Sequence, residues 1–131
     1  MFLIGCYTGL RWSDYGNLKE VNIKDGFIEK QVEKTDEYIK IPILPQVKEI
    51  MDRYPEGLPK ISNQKINKYL KVLCKSAGLN GNIEIVMHYG SKEKRFVYRK
   101  WEKVSTHTAR RTFISLSVER GVRPEVVKKI T

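Results

Sequence analysis

Residues 21–43, VNIKDGFIEKQVEKTDEYIKIPI, are where the apolar spacing of the chain changes from helical to strand-like, and they decide between an all-helical and a mixed fold. In VNIKDGFIEKQV the apolar residues fall at intervals of two around Asp25-Gly26, a pair that tolerates positive φ at both corners of a tight turn. This predicts a hairpin. YIKIPI repeats the alternation, with Tyr38, Lys40 and Pro42 on one face and Ile39, Ile41 and Ile43 on the other, which predicts a third antiparallel strand. Pro42 has no N–H to donate to a neighbouring strand, so that strand belongs at an edge.

Outward from this sheet the pattern is helical. Val47, Ile50, Met51 and Tyr54 recur at i, i+3, i+4 and i+7 and predict a core helix over about 46–54. Ile66, Tyr69, Leu70, Leu73 and Ala77 predict a second over about 63–77, capped by Ser62 or Asn63 and stopped by Gly78. Residues 83–101 read as a β-hairpin whose polar centre, HYGSKEK, forms a long mobile tip. Ala109, Phe113, Leu116 and Arg120 lie near one face of a helix over 106–120, capped by Ser105 or Thr106 and ended by Gly121, and a last helix covers 124–130. On the N-terminal side, residues 1–8 are helix-compatible and Gly9 is a natural stop. Arg11 then lies between two helices, the second capped by Ser13 or Asp14. The fold class is therefore α+β, mainly α-helical, with a small antiparallel sheet. Residues 1–131 show no repeat, low-complexity tract or linker. The uncapped apolar opening predicts a helix that starts upstream of residue 1, and the short apolar run after Pro124 carries no stop signal, so the chain reads as a fragment.

With 25 Lys+Arg against 15 Asp+Glu the formal charge is +10, and an anionic partner is expected. No apolar run approaches the ~18 residues of a membrane span, and the opening MFLIGCYTGL has no basic flank of the secretory kind. No membrane partner is expected and the chain reads as cytoplasmic. Cys6 and Cys74 lack a close C-x-x-C pairing and are expected to be reduced, buried core residues. Residues 92–111 hold eight Lys/Arg against two Glu, with Phe96, Tyr98 and Trp101 interleaved. Such a stretch can follow a phosphate backbone; alternatively it is a solvated hairpin kept soluble by its charge.

Three signals carry possible chemistry: Arg11 in TGLRWSD, Lys34 in EKTDEYIKIPI, and His107 with Arg110 in STHTARRTF. Positions 107 and 110 share a helical face, so an imidazole and a guanidinium can converge on one anion. Arg offers a planar fork matched to two phosphate oxygens, and His can move a proton near neutral pH. Taken singly, His107 could equally be a helix N-terminal residue satisfied by backbone, and Arg110 a surface charge.

Taken in order, the three signals resemble the catalytic domain of the tyrosine recombinases, the phage integrase family. There a first Arg follows Gly-Leu with an acidic residue shortly after, as in Arg11 and Asp14. A Lys lies in the turn between two strands, as Lys34 does here, and a His-x-x-Arg opens a later helix, as His107 and Arg110 do. The resemblance spans residues 1–131 and implies an integrase-like catalytic core, present in part. The family's second His or Trp after a Gly, its nucleophilic Tyr and its N-terminal core-binding domain find no match, and all seven tyrosines precede His107.

By that resemblance the activity is DNA strand cleavage and rejoining through a 3′-phosphotyrosyl intermediate in a full-length parent, with no metal or other cofactor. The fragment itself is expected to be inactive. Arg11 and Arg110 would clamp the scissile phosphate, Lys34 would protonate the leaving 5′-oxygen, His107 would assist proton transfer, and Asp14 would support Arg11. Lys92, Lys94, Arg95 and Arg111 are the expected DNA-backbone contacts. The partners implied are duplex DNA and further recombinase protomers. A basic DNA-binding module without chemistry and a topoisomerase-like enzyme are the alternatives.

Overall fold

The computed structural model describes residues 1–19, 22–31 and 38–131. The chain forms two compact units, the first Met1–Ile61 with Thr106–Thr131 and the second Ser62–Ser105.

In the first unit, β1 (Ile23–Lys24) and β2 (Phe27–Gln31) are joined by Asp25 and Gly26 at φ 49° and 78°, so both corners take the positive φ that the Asp-Gly pair predicts. β3 (Tyr38–Pro42) pairs antiparallel with β2, Ile28 opposite Ile41 and Lys30 opposite Ile39. The strand order is β1-β2-β3, which leaves Pro42 on an edge strand as expected. Ile28, Ile39 and Ile41 are buried with Ile4, Leu10, Tyr15, Leu18, Val47, Met51 and Leu58 in one core. Around the sheet lie α1 (Phe2–Thr8), α2 (Trp12–Tyr15), α3 (Pro45–Asp52), α5 (Thr106–Glu119) and α6 (Pro124–Ile130).

The α1–α5 contact fixes where the site residues stand. A Cβ on Gly5 would come within 2.9 Å of the Ala109 Cβ, and one on Gly9 within 2.5 Å of the Phe113 ring. Only glycine lets the two helices approach this closely. Gly9 also ends α1 at φ 69°, with its N–H donating to the Gly5 carbonyl at 3.0 Å.

In the second unit α4 (Asn63–Ser76) is capped by Ser62, whose hydroxyl accepts from the Lys65 N–H at 3.3 Å. It is followed by a ribbon of β4 (Asn82–Tyr89) and β5 (Lys92–Arg99) and a 3-10 turn over Lys100–Lys103.

Four expectations are corrected. The ribbon has no long tip: pairing continues to Tyr89 opposite Lys92, because Gly90 takes φ 63° and closes a two-residue turn. Neither Ser13 nor Asp14 caps α2; the N-cap is Arg11 in extended conformation, and Asp14 lies inside the helix. α4 buries only Ile66 and Leu70, leaving Tyr69 and Leu73 largely exposed, and on α5 Leu116 is exposed as well. Cys6 and Cys74 are free, as expected, but half-buried and not core residues.

Candidate functional site

Each residue of Thr8-Gly9-Leu10-Arg11 has a local task. The Thr8 hydroxyl donates to the Ile4 carbonyl at 2.7 Å and accepts from the Leu10 N–H at 3.3 Å, so the chain leaves α1 with its polar groups satisfied. Gly9 makes the left-handed turn, and Leu10, almost fully buried, anchors the exit in the core. Arg11 follows at φ −73° and ψ 159°, and its carbonyl receives the Asp14 and Tyr15 N–H groups at 3.0 and 2.9 Å to begin α2. The half-buried Arg11 side chain is thereby set at the junction of the two helices.

Arg110 reaches this junction from α5. Its Nη1 donates to the Gly9 carbonyl at 3.1 Å, and its Nη2 donates to the Thr131 carbonyl at the end of α6. The residue is 6% exposed. Burial first, and then the neighbouring Arg11 charge, push its guanidinium below the usual arginine value, while Asp14 acts in the opposite direction. The Arg110 guanidinium is thus held at Gly9, two residues before Arg11 in the chain, with the buried Asp14 nearby. Arg110 stays a cation throughout.

Asp14, 1% exposed, has a second cation beside it. Lys30 Nζ donates to the Asp14 main-chain carbonyl at 2.6 Å and stands 3.8 Å from its Oδ1. Lys30 is absent from the sequence-level site. Its signal was nonetheless available: it lies two residues from the buried Ile28 on the same face of β2, and a lysine on the core face of a strand needs a partner. Arg11, Arg110 and Lys30 against Asp14 leave an excess of positive charge at one partly buried place. That arrangement can hold an anion, and bidentate recognition suits a phosphate best.

Of the other expected residues, His107 is exposed in the first turn of α5, one turn before Arg110 on the same helical face, and Arg111 is exposed. Lys34 lies outside the described residues. Lys92, Lys94 and Arg95 are exposed on β5. Arg95 is bound by carboxylates on both sides, to Glu84 at 3.3 Å and Glu93 at 2.8 Å, whereas Lys94 lies 5.4 Å from the centre of the Tyr89 ring. Phe96 and Tyr98 stack at 6.3 Å, and Lys103 sits over Tyr98. Among the described residues there is no group of three His, Cys, Asp or Glu that could hold a metal, and no helix long and apolar enough to cross a membrane.

The sequence matches no protein-family model and no curated protein. In fold the chain is similar to the integrase of the Tn1549 transposon, solved in complex with circular-intermediate DNA. The TM-score is 0.56 over 98% of this chain, at 16% sequence identity. The fold is thus integrase-like. This chain spans 47% of that solved integrase chain.

Proposed function

We propose that this chain carries the phosphate-activating site of a tyrosine-type site-specific DNA recombinase. The observation that carries the reading is that Arg110, far away in sequence, bonds the Gly9 carbonyl at the junction where Arg11 leaves α1, near the buried Asp14 on an integrase-like fold. In this reading the two guanidinium groups hold the non-bridging oxygens of a scissile phosphate. Charge accumulates there in the transition state, and fixed donors in a water-poor site stabilise it most. Lys34 donates the proton to the leaving 5′-oxygen, and His107 assists proton transfer at the phosphate. Asp14 limits the mutual repulsion of the arginines. The lysines of the β4–β5 ribbon, with Arg111, supply backbone contacts to duplex DNA, and recombination brings further protomers to the same DNA.

The attacking tyrosine is then none of the seven in this chain, which all precede His107. A nicked suicide duplex, scored for covalent protein–DNA adduct on a denaturing gel, tests the reading. Adduct is expected from a polypeptide that joins these residues to a tyrosine beyond His107, and is lost in its Arg11→Ala and Arg110→Ala variants. None is expected from the 131 residues alone. Adduct formed at an undiminished rate by Arg110→Ala would remove Arg110 from the site.

A DNA-binding module without chemistry is the second reading, favoured by one observation. Both terminal nitrogens of Arg110 already donate to main-chain carbonyls. Under that reading no polypeptide carrying these residues forms adduct, and DNA affinity is unchanged in the Arg110→Lys variant.

A further inference from the structure

We infer that Lys30 is a positioning residue for the Arg11–Arg110 phosphate clamp and acts through Asp14. The inference rests on the reading of those arginines as a clamp.

Strand alternation puts Lys30 on the same side of β2 as Ile28, and its side chain is only 12% exposed. An ammonium so placed must be met by acceptors, and among the described residues both belong to Asp14: the main-chain carbonyl at 2.6 Å and the carboxylate at 3.8 Å. Two consequences follow. The first is mechanical, because the short α2, whose N-cap is Arg11, is tied to the sheet at Asp14. The second is electrostatic. The Asp14 carboxylate is 1% exposed and needs a counter-charge. Lys30 supplies one from the sheet side, which leaves more of the guanidinium donor capacity of Arg11 and Arg110 for an incoming ligand. Without Lys30 more of the carboxylate's compensation falls on the other groups around it, the Arg110 guanidinium among them. A phosphate would then compete with an internal anion for the same donors.

The test uses dimethyl phosphate, a phosphodiester monoanion, titrated into the 131-residue chain while the side-chain N–H signals of Arg11 and Arg110 are followed by NMR. Wild type is expected to show saturable shifts at both arginines. Lys30→Met is expected to bind about tenfold more weakly, the order of effect of one nearby charge in a partly buried site. Lys30→Arg, which keeps the charge, is expected within about threefold of wild type. The deciding variant is the double substitution Asp14→Asn with Lys30→Met. It removes the competing carboxylate and is expected to return affinity to within about threefold of wild type. A purely structural lysine gives no such recovery.

A double variant no better than Lys30→Met, or a Lys30→Met affinity equal to wild type, overturns the inference and leaves the clamp standing. Absence of any shift at Arg11 and Arg110 in wild type overturns the clamp and the inference together. Should Lys30→Met fail to fold, Lys30→Gln takes its place and is read against the double substitution Asp14→Asn with Lys30→Gln: weak binding restored by the second substitution supports the inference, and an unweakened single variant or an unrestored double variant overturns it.

Discussion

Gly9→Ala is the perturbation that most directly examines how the site is assembled, and Gly26→Ala is its internal control. Both glycines belong to the first unit and hold nearly the same backbone conformation, φ 69° and φ 78°. A Cβ on Gly26 meets nothing within 4 Å, so Gly26→Ala should cost only the left-handed penalty, about 1–2 kcal/mol. A Cβ on Gly9 would stand 2.5 Å from Phe113 Cδ1 and 2.8 Å from its Cε1. That overlap is with a half-buried ring on α5, so relief requires the helices to separate, at a further ~1–3 kcal/mol. The expected total for Gly9→Ala is about 2–5 kcal/mol. Because the Gly9 carbonyl receives Arg110, the same separation should displace the guanidinium from Arg11. Urea unfolding followed by tryptophan fluorescence gives the stabilities; Trp12 reports on the first unit. Equal losses for the two variants would refute the close α1–α5 packing on which the site geometry depends.

On β5, replacing Lys92 and Lys94 together by Ala should flatten the salt dependence of duplex DNA binding by up to about two units of logarithmic slope, whereas Arg95→Ala, already neutralised by Glu84 and Glu93, should change it by well under one; fluorescence anisotropy at several salt concentrations measures both. Tyr15 is fully buried, its hydroxyl has no hydrogen-bond partner among the described residues, and burial, followed by the Cys6 charge, pushes its pKa from 10.0 up to about 12. The folded state therefore holds this proton where the unfolded state has released it, so stability falls as pH rises from 10 towards about 12, by roughly 2–3 kcal/mol. Tyr15→Phe should lack that decline and be neutral to about 1 kcal/mol more stable at pH 7, read by denaturant unfolding against pH. In a polypeptide competent for adduct formation, His107→Ala should lower the cleavage rate by roughly 10²–10⁴-fold and leave DNA affinity unchanged, checked by single-turnover adduct kinetics.

Features encoded by neighbouring residues were legible in the sequence. Asp25-Gly26 specifies its own turn, Gly9 and Gly78 stop their helices, and the period of apolar residues marks α3 and α4 to within a residue or two. What was not legible depends on partners distant in sequence. Apolar spacing on α4 cannot say that Tyr69 and Leu73 stay exposed, because burial is decided by what the rest of the fold lays against the helix. The polar HYGSKEK segment suggests a loose tip, yet strand pairing is carried by the backbone and continues to Tyr89 and Lys92 regardless of side-chain polarity. Asp14 follows Arg11 closely enough to look like a cap; its burial becomes apparent only when Lys30 and Arg110 arrive from other elements. The His-x-x-Arg spacing placed two groups on one face of α5, but nothing local to it says that Arg110 is nearly inaccessible while His107 is exposed.

Arg110 shows why a choice between structural and functional roles is misplaced for this site. A guanidinium buried to 6% exposure cannot be left without acceptors, and the Gly9 and Thr131 carbonyls supply them. Those same bonds hold the end of α1, where Arg11 emerges, and the end of α6 against one rigid planar group. Arg110 is thus fixed by the fold before any anion arrives, beside the junction where Arg11 emerges. The repulsion between the two arginines is offset by Asp14, whose own charge is met from the sheet by Lys30. In the proposed reading, a phosphate entering such a cluster gains one cation already in place, through the donors of Arg110 that the Gly9 and Thr131 oxygens leave open. Substitution of Arg110 must then disturb helix packing and anion affinity together. A loss of binding in Arg110→Ala becomes evidence about the clamp when Arg11→Ala, which removes the other guanidinium and leaves the Arg110 bonds to Gly9 and Thr131 in place, loses binding as well.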